Sequence, residues 1–76
     1  MKEILETIIK NLVDDETKVS ITEKSDEKTI AFEVRVAESD MGKVIGKQGR
    51  VAKSIRTVMK SVAGKERKKV IVEFLD

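Results

Sequence analysis

The feature that most constrains this chain is a hydrophobic period that changes twice in its second half. Ile30, Phe32, Val34 and Val36 point one way, while Thr29, Ala31, Glu33 and Arg35 point the other. That is the alternation of a half-buried strand. Val70, Val72 and Phe74 alternate again near the end of the chain. Between these strands, over residues 30–36 and 70–75, apolar residues recur at helical spacing in two stretches separated by Gly46-Lys47-Gln48-Gly49. Two strands joined by such a helical crossover are expected to be parallel.

The first half completes the layout. Ile4, Leu5, Ile8, Ile9, Leu12 and Val13 form one apolar stripe, which predicts a helix over 3–13, ended by Asp14-Asp15-Glu16. Val19-Ser20-Ile21-Thr22 is a short alternating run, and Ser25-Asp26-Glu27-Lys28 a polar turn, so strand 30–36 gains an antiparallel hairpin partner. Ser39 and Asp40 are suited to cap a short helix through Ile45, and a second helix runs from Arg50 to Val62 with Gly64 as its stop. On that helix Val51, Ala52, Ile55, Val58, Met59 and Val62 span an arc of about 120°; Arg50, Lys53, Arg56 and Lys60 span a similar arc nearly opposite. The expectation is a single α+β domain over residues 1–76, ordered α-β-β-α-α-β, with a three-stranded mixed sheet and all three helices packed on one face.

Charge is distributed along the chain as unevenly as period. The net charge is +2 overall. Residues 1–40 hold 6 basic and 11 acidic side chains, whereas residues 41–69 hold 10 basic and 1 acidic. A basic segment beside an acidic remainder attracts polyanions, nucleic acid above all, although a solvated helix face would read the same way. With no Cys and no His, disulfides, the common zinc patterns and the usual nucleophile–base pairs are absent, so neither a metal site, a cofactor nor an enzyme is expected. No apolar run is long enough to span a bilayer, and the acids at Glu3 and Glu6 do not suit a signal peptide; the expected location is cytoplasmic, without a membrane partner.

Gly46-Lys47-Gln48-Gly49 carries the chemistry. Two glycines permit a tight positive-φ turn and leave no Cβ in the path of an approaching chain. A helix begins directly after the turn, so its N-terminal dipole favours a phosphate there. Lys47 lies within the turn, Lys43 and Arg50 flank it, and Lys53 follows in the first turn of the helix. Ile45 and Ile55 offer aliphatic surface for bases, or serve simply as core. Gly42 admits two readings as well, close packing of the short helix or contact with a ligand. An NTPase phosphate loop is excluded, because Gly42 and Gly46 have three residues between them and Gln48 stands where a hydroxyl is required.

Val44-Ile45-Gly46-Lys47-Gln48-Gly49, with a helix on either side and Ile55 in the second, resembles the I-G-x-x-G signature of KH domains. The element order resembles the bacterial type II form, and the likeness covers nearly the whole chain. The resemblance implies a clamp on about four nucleotides of single-stranded RNA, made by Gly46, Lys47, Gln48 and Gly49. Lys43, Arg50 and Lys53 would then neutralise phosphates, Ile45 and Ile55 would line or support the groove, and the loop Lys65–Lys69 would flank the strand. It also implies a homodimer, or a pairing with a larger KH protein of the Jag type. Two alternatives stay open: a dimerisation module with incidental nucleic-acid binding, and a binder of single-stranded DNA. Trp and Tyr are absent, so aromatic base stacking of the usual kind is not on offer.

Overall fold

The computed structural model describes residues 1–75. The chain runs α1 (Lys2–Leu12), β1 (Ser20–Ser25), β2 (Thr29–Arg35), α2 (Met41–Ile45), α3 (Arg50–Gly64) and β3 (Lys69–Leu75), with short 3₁₀ turns at Glu16–Lys18, Glu38–Asp40 and Lys47–Gly49. The sheet order is β1-β2-β3. β1 pairs antiparallel to β2 with Ile21 opposite Val34, and β3 pairs parallel to β2 with Val72 opposite Phe32. This is the expected α+β, KH-like arrangement: three helices and a mixed three-stranded sheet. The alternation of β2 puts Ile30, Phe32 and Val34 under the helices, where they meet Leu5 and Ile9 of α1, Val44 of α2 and Ile55 and Met59 of α3. Phe32 has no exposed surface, and burying a side chain of that size stabilises by about 1.5–3 kcal/mol.

The hairpin turn is closed by Asp26, whose carboxylate accepts from the N–H groups of Lys28 at 2.8 Å and Thr29 at 2.7 Å. Those bonds hold its pKa below the ordinary value. β1 reaches Ser25, three residues beyond the expected run, because the ladder to β2 continues through the exposed Glu23 and Lys24.

Helix boundaries depart from expectation in instructive ways. Ile4 and Val58 were placed in apolar stripes, yet they stay 42% and 45% exposed. Both lie at the margins of their arcs, outside what the sheet covers. The α-helical ladder of α3 does end at Gly64, but Gly64 is not the left-handed residue. Lys65 is still helical, and Arg67 turns the chain with φ 58°. Lys68 N–H donates to Ala63 C=O at 3.2 Å and Arg67 N–H to Gly64 C=O at 3.2 Å. That pair of bonds is a Schellman ending with arginine in the position glycine usually takes.

Asp40 does not cap its own helix. The residue is 1% exposed, and its side chain accepts from the backbone N–H groups of Asp14 at 3.2 Å and Asp15 at 3.0 Å, immediately after α1. The bond from Asp15 is the leading cause of its lowered pKa; burial opposes it, and the Asp14 bond and Lys43 add to it. One buried carboxylate thereby satisfies the backbone donors where α1 gives way to the next turn, and ties that end of α1 to the start of α2.

Candidate nucleic-acid interface

In the turn at residues 46–49 three of the four residues have positive φ. Gly46 has φ 77° and ψ 174°, Gln48 φ 59° and ψ 26°, and Gly49 φ 73° and ψ 14°. Gly46 N–H closes α2 on Gly42 C=O at 2.8 Å, and Gly49 N–H closes the 3₁₀ turn on Gly46 C=O at 3.1 Å. The two glycines are present for different reasons. A Cβ at Gly46 would lie 2.3 Å from Val51 Cγ2 and 2.9 Å from Val51 N, so this glycine lets α2 and α3 close on each other. A Cβ at Gly49 would meet nothing within 4 Å. Gly49 therefore supplies conformation and leaves the outside of the turn open to an approaching chain. Gln48 adopts the same left-handed region without being glycine, a strain of the kind that concentrates at functional turns. At Gly42 a Cβ would also meet open space, which removes close packing as the reason for that glycine.

The cations expected around the turn divide into two groups. Lys47 is exposed at the tip. Arg50 lies beside it, with Nη2 at 3.4 Å from Gln48 Oε1. Lys53 continues the row along α3. Lys43 turns the other way. Its ammonium is hydrogen-bonded to Asp14 and stands 3.5 Å from Asp40 Oδ1, and the Asp14 bond is the first cause of its raised pKa. Lys43 thus neutralises the acidic end of α1, and to reach a phosphate it would have to leave both carboxylates. Ile45 is half-buried against the core, whereas Ile55 is only 4% exposed and belongs to the core itself.

An open groove lies between α3 and β3, walled by Lys53, Arg56 and Lys60 of α3 and by Val70 and Val72 of β3. The basic face of α3 is one wall and the free edge of the sheet is the other. Arg56 links the two. Its Nε donates to Val72 C=O at 3.1 Å, and its guanidinium lies 5.5 Å from the centroid of the Phe74 ring. From the sequence, Arg56 is a member of the basic arc that is partly solvated and steers a ligand by charge alone. The available signal was its position on the helical wheel, about 40° from Ala52 at the border of the apolar arc. Among the described residues there is no cluster of three or more His, Cys, Asp or Glu side chains that could hold a metal ion, and no helix is long and apolar enough to cross a membrane.

A type II KH arrangement, closed by a Gly-x-x-Gly turn and opening onto a basic groove, is the class that this fold and site define. The chain belongs to the KhpA/KhpB KH domain family, whose model matches residues 2–74. It is 56% identical over 75 residues to the RNA-binding protein KhpA of Clostridium acetobutylicum, covering 99% of this chain and 100% of that relative. It is 55% identical to the protein of the same name in Clostridium perfringens, with the same coverage. With that of Aquifex aeolicus it shares 45% identity over 76 residues, 100% of this chain and 96% of the relative. No solved structure matches. The family is one of KH-domain proteins and not of enzymes.

Proposed function

We propose that this chain is a cytoplasmic RNA-binding protein that clamps about four nucleotides of single-stranded RNA. The backbone would pass over Gly46–Gly49, with Lys47, Arg50 and Lys53 set against its phosphates and the bases in the groove between α3 and β3. The observation that carries this reading is the open left-handed turn at Gln48 and Gly49, joined without interruption to the basic face of α3. The names of the relatives support RNA as the ligand. Single-stranded DNA is the competing ligand, because no group in the groove is committed to a 2′-hydroxyl.

A second chain is part of the proposal. Val58 stays 45% exposed on α3, which gives an apolar point for pairing with another copy or with a larger KH protein of the Jag type. Pairing two weak clamps raises affinity through effective concentration. A module whose main task is pairing would show the same exposed residue, and RNA binding separates the two readings.

The test is fluorescence anisotropy of labelled single-stranded RNA across a salt series, comparing the natural chain with a Lys47→Asp, Gln48→Asp double variant whose fold is verified by circular dichroism. The expected log–log salt slope is roughly −2 if about three phosphates are neutralised. The double variant is expected to lose nearly all binding. Equal binding by both proteins would remove the turn from the interface and leave only a diffuse basic attraction.

A further inference from the structure

β3 is an edge strand, and the direction of its backbone groups can be read from two bonds. Lys69 N–H donates to Lys28 C=O at 2.8 Å, so the odd-numbered residues face β2. Val72 C=O accepts instead from Arg56 of α3, so the even-numbered residues face outward. In an extended strand the N–H and C=O of one residue point to the same side and successive residues alternate. Val70 and Val72 therefore present their backbone groups to the groove. Val72 C=O, the acceptor at the middle of that edge, is already taken by Arg56 Nε. The groove is left rich in donors: the Val72 N–H, the Lys53 and Lys60 ammoniums, and above all the terminal nitrogens of Arg56.

Arg56 is held in a way that fixes which of its atoms remain available. Nε is anchored on Val72 C=O, and the guanidinium carbon lies over the Phe74 ring, 5.5 Å from its centroid. A guanidinium is rigid and planar, so anchoring Nε orients both Nη groups, which make no other hydrogen bond to a described residue. A pair of fixed parallel donors matches two acceptors side by side. Among the bases, guanine offers O6 and N7, and cytosine O2 and N3. Adenine and uracil set a donor next to each acceptor on the corresponding edges.

We propose that Arg56, anchored on the β3 edge, is a specificity-determining residue that selects for guanine or cytosine over adenine and uracil in the groove. This rests on the reading that the groove takes single-stranded RNA. The cost of ordering a long side chain is already met in the free protein, which makes the contact more selective than a mobile lysine would be. The geometry also gives the chain a partial substitute for the missing aromatic platform, since the ring of Phe74 backs a planar cation.

The experiment uses labelled octauridine and octamers in which the two central positions are guanosine, cytidine, adenosine or 7-deazaguanosine, titrated by anisotropy at one salt concentration. The natural chain is expected to bind the guanosine and cytidine octamers at least about 5-fold more tightly than the uridine and adenosine ones, the lower end for a bidentate pair. Loss of N7 in 7-deazaguanosine is expected to return binding to the uridine level, a result that needs no protein variant. Arg56→Lys keeps the charge and is expected to bind all octamers alike. Equal binding of every octamer by the natural chain would overturn the selection and leave a base-tolerant stacking platform. A preference that survives Arg56→Lys would overturn the assignment to Arg56. Binding of none would overturn the RNA reading, and this inference with it.

Discussion

Alanine at each end of the Gly-x-x-Gly turn separates architecture from ligand contact. At Gly46 two costs add. Its φ of 77° with ψ of 174° lies in a region that is essentially glycine's alone, and holding another residue there costs about 1–3 kcal/mol. The new Cβ would also sit 2.3 Å from Val51 Cγ2 and 2.9 Å from Val51 N. Val51 is β-branched and its nitrogen belongs to the first turn of α3, so neither atom moves without shifting the helix; overpacking of this kind costs about 1–3 kcal/mol. The sum for Gly46→Ala is about 2–6 kcal/mol. A chain of this length has a total stability of roughly 4–11 kcal/mol, so that loss is a large share of it. At Gly49 only the left-handed backbone is penalised, by about 1–2 kcal/mol, since the added methyl enters open space. Thermal unfolding followed by far-UV circular dichroism is the assay. Gly49→Ala is expected to lower Tm by about 4–15 °C, and Gly46→Ala by clearly more, or to leave the chain unfolded at room temperature. RNA affinity should show the complementary pattern, with Gly49→Ala losing binding while still folded. A Tm for Gly46→Ala at or above that of Gly49→Ala would refute the reasoning.

Other residues make separate claims. Asp40→Asn is expected to lower the urea midpoint at neutral pH. Because the folded pKa of Asp40 is depressed, its stabilising contribution is complete above the ordinary value of 3.8 and fades as pH falls through and below it, so variant and natural chain should converge in acid. Phe32→Ala removes the largest fully buried side chain and is expected to cost about 3–5 kcal/mol, measured by the same urea titration. Arg67→Gly removes a left-handed arginine at the end of α3; the relief of about 1–2 kcal/mol outweighs the entropy cost of glycine, about 0.5–1 kcal/mol, so Tm should rise by a few degrees. A lower Tm would mean that the Arg67 side chain makes a stabilising contribution that its backbone conformation does not reveal.

How much of this protein is legible in its sequence depends on the range of the interaction concerned. The element order, the parallel crossover and the turn at 46–49 follow from hydrophobic period and from two glycines. These signals act within a few residues, so they survive being read one stretch at a time. The stripe of α3 was legible in the same way, including the burial of Ala52, Ile55 and Met59. What period cannot tell is how far the neighbouring sheet extends over a stripe, and Ile4 and Val58 were left exposed for that reason. The stop at Gly64 shows the same limit at a helix end, since the bonds that close α3 place the left-handed turn at Arg67.

The candidate site divides along the same line. Lys47, Gln48 and Gly49 are exposed or half-exposed at a turn whose shape their own sequence dictates. Lys43, only a few residues away, has its ammonium bound to Asp14, 29 positions earlier in the chain. Asp40 reads as the cap of its own helix, but its partners are the N–H groups of Asp14 and Asp15. Arg56 reads as a steering charge on a partly solvated face, and becomes the link between α3 and the sheet edge only once β3 is laid beside it. The sequence by itself determined where helices, strands and the Gly-x-x-Gly turn occur, since backbone preference and period are local. Tertiary structure decided which charges are free for a ligand and which are committed within the protein, because an ion pair or a backbone acceptor is chosen by distance in space, and the fold alone brings those partners within reach.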